Sequence, residues 1–345
     1  MRKIVFLAAA MLLSLSCTRR DLSEGDCTQS GAESALIEVS VDWSLSGFDT
    51  EQISKGVEDY IHRVSFRFFP LDGSAPFDRY LEDDVESGVL DIPVGEYSVV
   101  IFNESIYDPY WQNSILFEDV DSYDLFAAKI VDQDPELYDF YTPAEQEALS
   151  VEALQLASCS IDYFVVSDAM ASLSSQSWDQ GDLEMAELLN PATPRRLTCP
   201  TVIEVEVENL SSAYSVSASL TGLAQRVFMA SGDTDTLTTT HVGDLTQRLW
   251  DDGSLQHGTI YESRLTFSTP AATSTHTLTL DVILIDGTRH TPEEEMVYDV
   301  SDQILSAATR YADNDLGASV SLSLPEVSGD VEVDAWGDEN QITIL

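Results

Sequence analysis

The sequence predicts an all-β fold, two β-sandwich domains with a few short helices. Three observations predict it. In both halves of the 345-residue chain, apolar residues alternate with polar ones over short runs, the two-residue period of a strand with one wet face. Gly, Pro, Asp and Asn punctuate those runs as turns. A polar stretch with three prolines, "NPATPRRLTCP" (residues 190–200), divides the series into two sets, each of ordinary domain size.

The chain opens with basic Met1-Arg2-Lys3, an uncharged apolar run from Ile4 to Leu13, and the small-residue exit Ser14-Leu15-Ser16. That order describes an export signal over residues 1–16. As a helix the apolar run rises only about 15 Å, half of a hydrocarbon core of about 30 Å, so it is too short for a permanent span. No later run is long and apolar enough to be one. Cys17 follows at once and resembles the lipobox cysteine of bacterial lipoproteins, which carries diacylglycerol on its sulfur. Ser14 and Leu15 depart from the usual lipobox, where Leu and a small residue stand. The competing reading takes Ser14-x-Ser16 as an ordinary cleavage site and leaves a secreted protein with a free cysteine. Two acyl chains would anchor the chain stably where one is marginal. Arg19 and Arg20 would then meet anionic headgroups or stand as a solvated pair. Residues 17–35 read as a polar tether.

The first domain is expected over 36–190. Ile37, Val39, Val41 and Trp43 alternate with Glu38, Ser40, Asp42 and Ser44. Val64, Phe66 and Phe68 alternate with Ser65 and Arg67, and Leu71-Asp72-Gly73 follows as a turn. Val89 to Ser105 reads as strand, turn and strand, with Val99 to Phe102 apolar on both faces and therefore central in a sheet. Three short helices are expected. One spans Gln52 to Ile61, one opens at Thr142-Pro143-Ala144-Glu145 with threonine as cap and proline at the first helical position, and one spans Asp182 to Leu189. Residues 191–200 are expected as a linker. Its Arg195-Arg196 pair reads either as a processing site for an arginine-specific protease or as ordinary linker polarity.

The second domain is expected over 201–345. Ile203, Val205 and Val207 oppose Glu204, Glu206 and Glu208. Val216, Ala218 and Leu220 form another strand before Gly222, and Thr275 to Thr288 ends at the hairpin signal Asp286-Gly287. Val320, Leu322 and Leu324 alternate with serines. Val331 and Val333 precede the turn Trp336-Gly337-Asp338, and Ile342, Thr343, Ile344 and Leu345 close the chain as a bare strand. Exposed strand edges are adhesive and usually blunted. This segment therefore reads either as a strand added to another subunit's sheet or as a last strand paired within its own domain.

Lys and Arg number 16 against 61 Asp and Glu, a formal charge of −45. Such a field repels phosphates and argues against nucleic acid as a partner. With 43% hydrophobic residues, the acids are the wet faces of a folded chain and not a mark of disorder. Of the four cysteines, Cys159 and Cys199 are the candidate disulfide, which spacing alone does not establish. The five histidines make no HxxxH or HExxH spacing, and GxSxG, Walker and GxGxxG motifs are absent. Asp119, Asp121, Asp124, Asp132 and Asp134 read as solvated loop acids or as oxygen ligands for calcium, without the glycine and glutamate of the twelve-residue calcium loop. Tyr107, Tyr110 and Trp111 in "YDPYW" read as a sugar platform or a sandwich-end cover. No catalytic residue, metal or cofactor is expected.

Several stretches together resemble a known family. These are Cys17-x-Arg19-Arg20-x-Leu22, Val41-Asp42-Trp43-Ser44, Arg67 to Gly73, Pro93 to Tyr97 with Phe102 to Ser105, and Trp336 to Glu339. In this order they resemble fimbrillin-like lipoproteins of Gram-negative bacteria, relatives of fimbrial anchoring and accessory subunits. The resemblance implies two transthyretin-like Greek-key sandwiches and no enzyme activity. It also implies an outer-membrane, lipid-anchored location and fimbrial subunits as partners. A glycan-binding outer-membrane lipoprotein is the competing function.

Overall fold

The computed structural model describes residues 34–48, 63–82, 84–104, 115–134, 148–150, 155–176, 189–245, 247–249, 257–268, 275–290, 296–307 and 315–327. Several expectations lie outside the described residues. They are those on the export signal, Cys17 and the tether up to residue 33, on the helices from Gln52 and Thr142 and residues 182–188 of the helix from Asp182, on "YDPYW", and on Val331 to Leu345.

In chain order the strands are β1 (Ser34–Val41), β2 (Arg63–Pro70), β3 (Phe77–Leu81), β4 (Ser87–Pro93), β5 (Gly95–Glu104), β6 (Ile115–Glu118), β7 (Ala127–Ile130), β8 (Ala148–Ser150) and β9 (Ala157–Val166). Helix α1 (Asp168–Gln176) follows, then β10 (Leu189–Ala192), β11 (Arg195–Arg196), β12 (Thr198–Glu208), β13 (Ala213–Ala224), β14 (Arg226–Phe228), β15 (Thr238–Asp244), β16 (Gln247–Leu249) and β17 (His257–Phe267). The rest are β18 (Thr277–Leu284), β19 (Arg289–His290), β20 (Val297–Asp299), helix α2 (Ser301–Ala307) and β21 (Leu316–Ser323).

The first sandwich packs the sheet β10-β1-β4 on the sheet β11-β9-β5-β2-β3. The expected alternation of β1 holds: Ala35, Ile37, Val39 and Val41 are buried against Val64, Phe66, Phe68, Val99, Ile101 and Phe164. Trp43 lies just past that strand, in a short 3-10 turn capped by the Asp42 carboxylate, which accepts from Ser44 N at 2.9 Å. Its indole donates to the Val85 carbonyl at 2.9 Å, so the turn is pinned while the ring stays in the core. The second sandwich packs β16-β17-β12-β21 on β19-β18-β13-β15-β8, with β20 also paired to β18. Ile203, Val205 and Val207 meet Val216, Ala218, Leu220, Leu278, Leu280 and Val282 there.

β5 is central, as its double-sided apolar sequence predicts, and both of its faces are covered. Val99 and Ile101 face the first core. Val100 and Phe102 face a third core with Phe69, Phe126, Leu156, Leu197, Val227, Met229 and Phe267. That third core draws on both halves of the chain and lies under the small sheet β14-β7-β6. The halves also trade strands. β14 pairs with β7, Val227 opposite Ala128, and β8 pairs in parallel with β15, Leu149 opposite Thr240.

The linker expected over 191–200 is corrected by this arrangement. Leu189–Ala192 is a parallel neighbour of β1, Arg195–Arg196 pairs with β9, and β12 already starts at Thr198. Leu197 and Cys199 are fully buried, one in each of two cores. Leu189, expected to end a helix, instead begins β10.

Candidate functional site

The expected Cys159–Cys199 disulfide is not formed; both are free thiols. Cys159 lies on β9 opposite Ile101 and packs against the first core, whereas Cys199 lies on β12 opposite Thr266 in the second. The two side chains thus serve different cores. Burial pushes each thiol up to about 12, which removes thiolate character.

Arg195 and Arg196 sit half-buried in a strand, and the Arg196 guanidinium holds Asp315 at 2.9 Å. A protease needs an extended, accessible segment, and paired backbone does not offer one. Asp119, from the acidic group weighed for calcium, ion-pairs with Arg226, which also meets Asp235 at 3.3 Å and Glu118 at 3.5 Å. The Asp132 carboxylate accepts from Leu149 N at 2.8 Å, fixing the entry to β8. Among the described residues no group of three His, Cys, Asp or Glu side chains is placed to hold a metal ion.

Two histidines are inside. His241, on β15, is fully buried; desolvation, then the nearby Arg264 charge, holds its pKa down at about 3. His276 is lowered by burial and makes a 3.2 Å contact from Nδ1 to the Thr221 carbonyl. Its neighbour Gly222 has φ +81°, and a Cβ there would sit 2.6 Å from the Thr275 carbonyl oxygen. That position lies at the irregularity between Leu220 and Leu223 where β13 shifts register against β15, and only glycine takes it without strain. These are structural features: neutral, packed groups without an opening to solvent.

Among the described residues, an exposed feature with binding chemistry is the outer border of the second sandwich. β21 ends its sheet, parallel to β12, with Glu204, Glu206 and Glu208 in register with Ser319, Ser321 and Ser323. All three glutamates are exposed. Serine spacing and glutamate spacing are both two because the inward positions, Val205, Val207, Ala318 and Leu322, fill the core. An open hollow of about 380 Å³ lies at the start of this border, lined by Val202, Glu204, Gln303, Asp315 and Ser319 among others. The alternation of Glu204, Glu206 and Glu208 was legible in the sequence; the part played by Gln303 was not. Its signal is the four-residue spacing of buried Val300 and Ile304, which sets the face of α2 and leaves Gln303 outside.

A family model described as a domain of unknown function, DUF5119, matches residues 16–242. No curated protein matches the chain. Among solved structures, a candidate adhesin from Bacteroides ovatus ATCC 8483 superposes with a TM-score of 0.53 at 16% identity, covering 88% of this chain and 99% of that one. The fimbrial anchor protein Mfa2 from Porphyromonas gingivalis aligns over 84% of this chain and 90% of its own, at 11% identity and a TM-score of 0.45. A candidate polysaccharide-binding protein from Bacteroides thetaiotaomicron gives 10% identity, the same coverages and a TM-score of 0.45. At these identities the B. ovatus likeness is one of fold, and it agrees with the all-β sandwich seen here.

Proposed function

The chain belongs to the DUF5119 family, and on that premise we propose that it is a non-enzymatic, lipid-anchored outer-membrane protein serving as an anchor or accessory subunit of a fimbrium. The observation that carries this reading is the end-to-end fold shared with a candidate adhesin, 99% of whose chain is covered. Adhesion also suits what the described residues offer. Their buried titratable groups are locked in cores, and their exposed chemistry is at sheet borders.

In this reading Cys17 carries the lipid, the tether ends before Ser34, where β1 begins, and Ile342, Thr343, Ile344 and Leu345 pair with the sheet of a fimbrial subunit. The expected bound of the tether at residue 35 is corrected because Ala35 is buried in the first core. Backbone pairing supplies affinity, and alternate side chains supply specificity. The shared third core suits such a role. A subunit under load between membrane and fimbrium gains from halves that cannot swing apart.

Two variants test it. Cys17→Ala in the native host should move the protein from the membrane fraction to the soluble one; continued membrane retention would sink the lipid anchor. Deleting residues 341–345 should abolish co-purification with fimbrial subunits, and unchanged recovery would assign that segment to the protein's own domain.

A further inference from the structure

The outer edge of β21 is already met by side chains from the segment before it. Gln303 Oε1 accepts from Ser319 N at 2.7 Å, and Gln303 Nε2 donates to the Ser319 carbonyl at 3.2 Å. A primary amide thereby makes the donor–acceptor pair that one residue of a neighbouring strand would make. Two residues on, the Tyr298 hydroxyl donates to the Ser321 carbonyl at 3.1 Å. Backbone groups along a strand point alternately to its two sides. Gly317, Ser319, Ser321 and Ser323 therefore face away from β12, and among the described residues no strand pairs with that side. Among the described residues this edge carries no strand and is covered at two positions by single side chains.

The chemistry beside the edge selects the occupant. Each outward serine is flanked, one strand in, by a glutamate in register. Serine is short, so a long cationic side chain on an added strand can reach across it to the carboxylate. Asp315, 59% exposed, stands at the start of the rail, and it already accepts a guanidinium from Arg196. A second copy of this chain would bring the same charge of −45 and is repelled.

We propose that the β21 edge, with Gln303 as its displaceable cover, is a docking rail for an extended segment of a partner protein carrying Lys or Arg at alternate positions. The cover resolves the usual hazard of a bare edge: the amide satisfies the strand's polar groups until a full ladder replaces it. This deepens the strand-pairing role proposed above but rests on β21, Gln303 and Tyr298 and not on Ile342 to Leu345, so variants of the two can fail independently.

The test is fluorescence anisotropy with a labelled octapeptide alternating lysine and valine, and with the same peptide N-methylated at alternate residues so that it keeps its charge but loses its ladder donors. Saturable binding is expected for the first and not for the second. Gln303→Ala should bind several-fold tighter, since two competing hydrogen bonds are gone, and Tyr298→Phe should shift affinity in the same direction with less disturbance. Glu204→Lys with Glu206→Lys should weaken binding tenfold or more, with thermal unfolding midpoints confirming that each variant is folded. Binding should survive deletion of residues 341–345. Equal binding of the N-methylated peptide would reduce the effect to charge attraction and overturn the proposal. So would an affinity indifferent to Gln303 and Tyr298, or the absence of saturable binding.

Discussion

Ser158 and Met229, 71 positions apart, join the two halves of the protein: the buried Ser158 hydroxyl donates to the Met229 carbonyl at 2.6 Å. Ser160 repeats the contact with Ala230 at 2.8 Å, and Met229 N donates to the Phe126 carbonyl at 2.9 Å. Around these bonds lie the third core and β14, and β8 joins the halves separately through its pairing with β15. The halves are therefore expected to unfold together.

Calorimetry should show a single transition for the full chain. Ser158→Ala leaves a buried carbonyl unpaired, at a cost of about 1–3 kcal/mol, and should lower the whole transition without splitting it. Two separable transitions in the native protein would contradict the shared core.

Gly222→Ala combines a left-handed φ with a clash against backbone at Thr275. A destabilisation of roughly 2 kcal/mol or more is expected in urea melts. A neutral outcome would mean that the turn between Leu220 and Leu223 is freer than its packing implies.

His241 makes stability depend on pH. Its folded pKa of about 3 lies below the ordinary histidine value of 6.5. Between those values the unfolded chain takes up a proton that the folded chain refuses. Stability therefore falls as pH drops through that window, with a limiting slope of about 1.4 kcal/mol per unit. His276, also lowered by burial, acts in the same direction. Urea midpoints of His241→Leu at pH 7, 5.5 and 4 should decline less steeply than those of the wild type. Parallel profiles would show that carboxylates such as Asp235 and Asp299, whose values are also depressed, carry the whole acid response.

The thiols give a direct check on the cores. In a variant with Cys17 and Cys27 changed to serine, Cys199 should stay silent to a thiol reagent until the protein unfolds, and Cys159 should react slowly. Intact mass should be the same with and without reductant; a gain of two hydrogens on reduction would restore the disulfide.

Much of this fold was legible as periodicity. The wet and dry faces of β1, β12 and β18 and the central place of β5 follow from single residues read two at a time, because one side of each had to be buried. The stretch around Arg195 reads as a linker and folds as strands for the converse reason. Its apolar content is three isolated residues, Ala192, Leu197 and Cys199, set among prolines and arginines. What makes it structural is pairing with β1, β9 and β17, partners that no local window contains. Pro200 is tolerated because it lies one residue before β21 begins to pair with β12 at Thr201. The cysteine pairing failed likewise, since spacing does not say which core a side chain enters. On the β21 rail the glutamates were visible and the cover was not: Gln303 matters only through the edge that α2 lies against.

The most direct measurement is cross-linking of the native protein in its own cells, followed by identification of its partners by mass spectrometry. Fimbrial subunits are the expected partners, joined to this chain through sheet borders. Recovery of a sugar transporter and its binding proteins, with no fimbrial subunit, would contradict it and assign the protein to glycan capture.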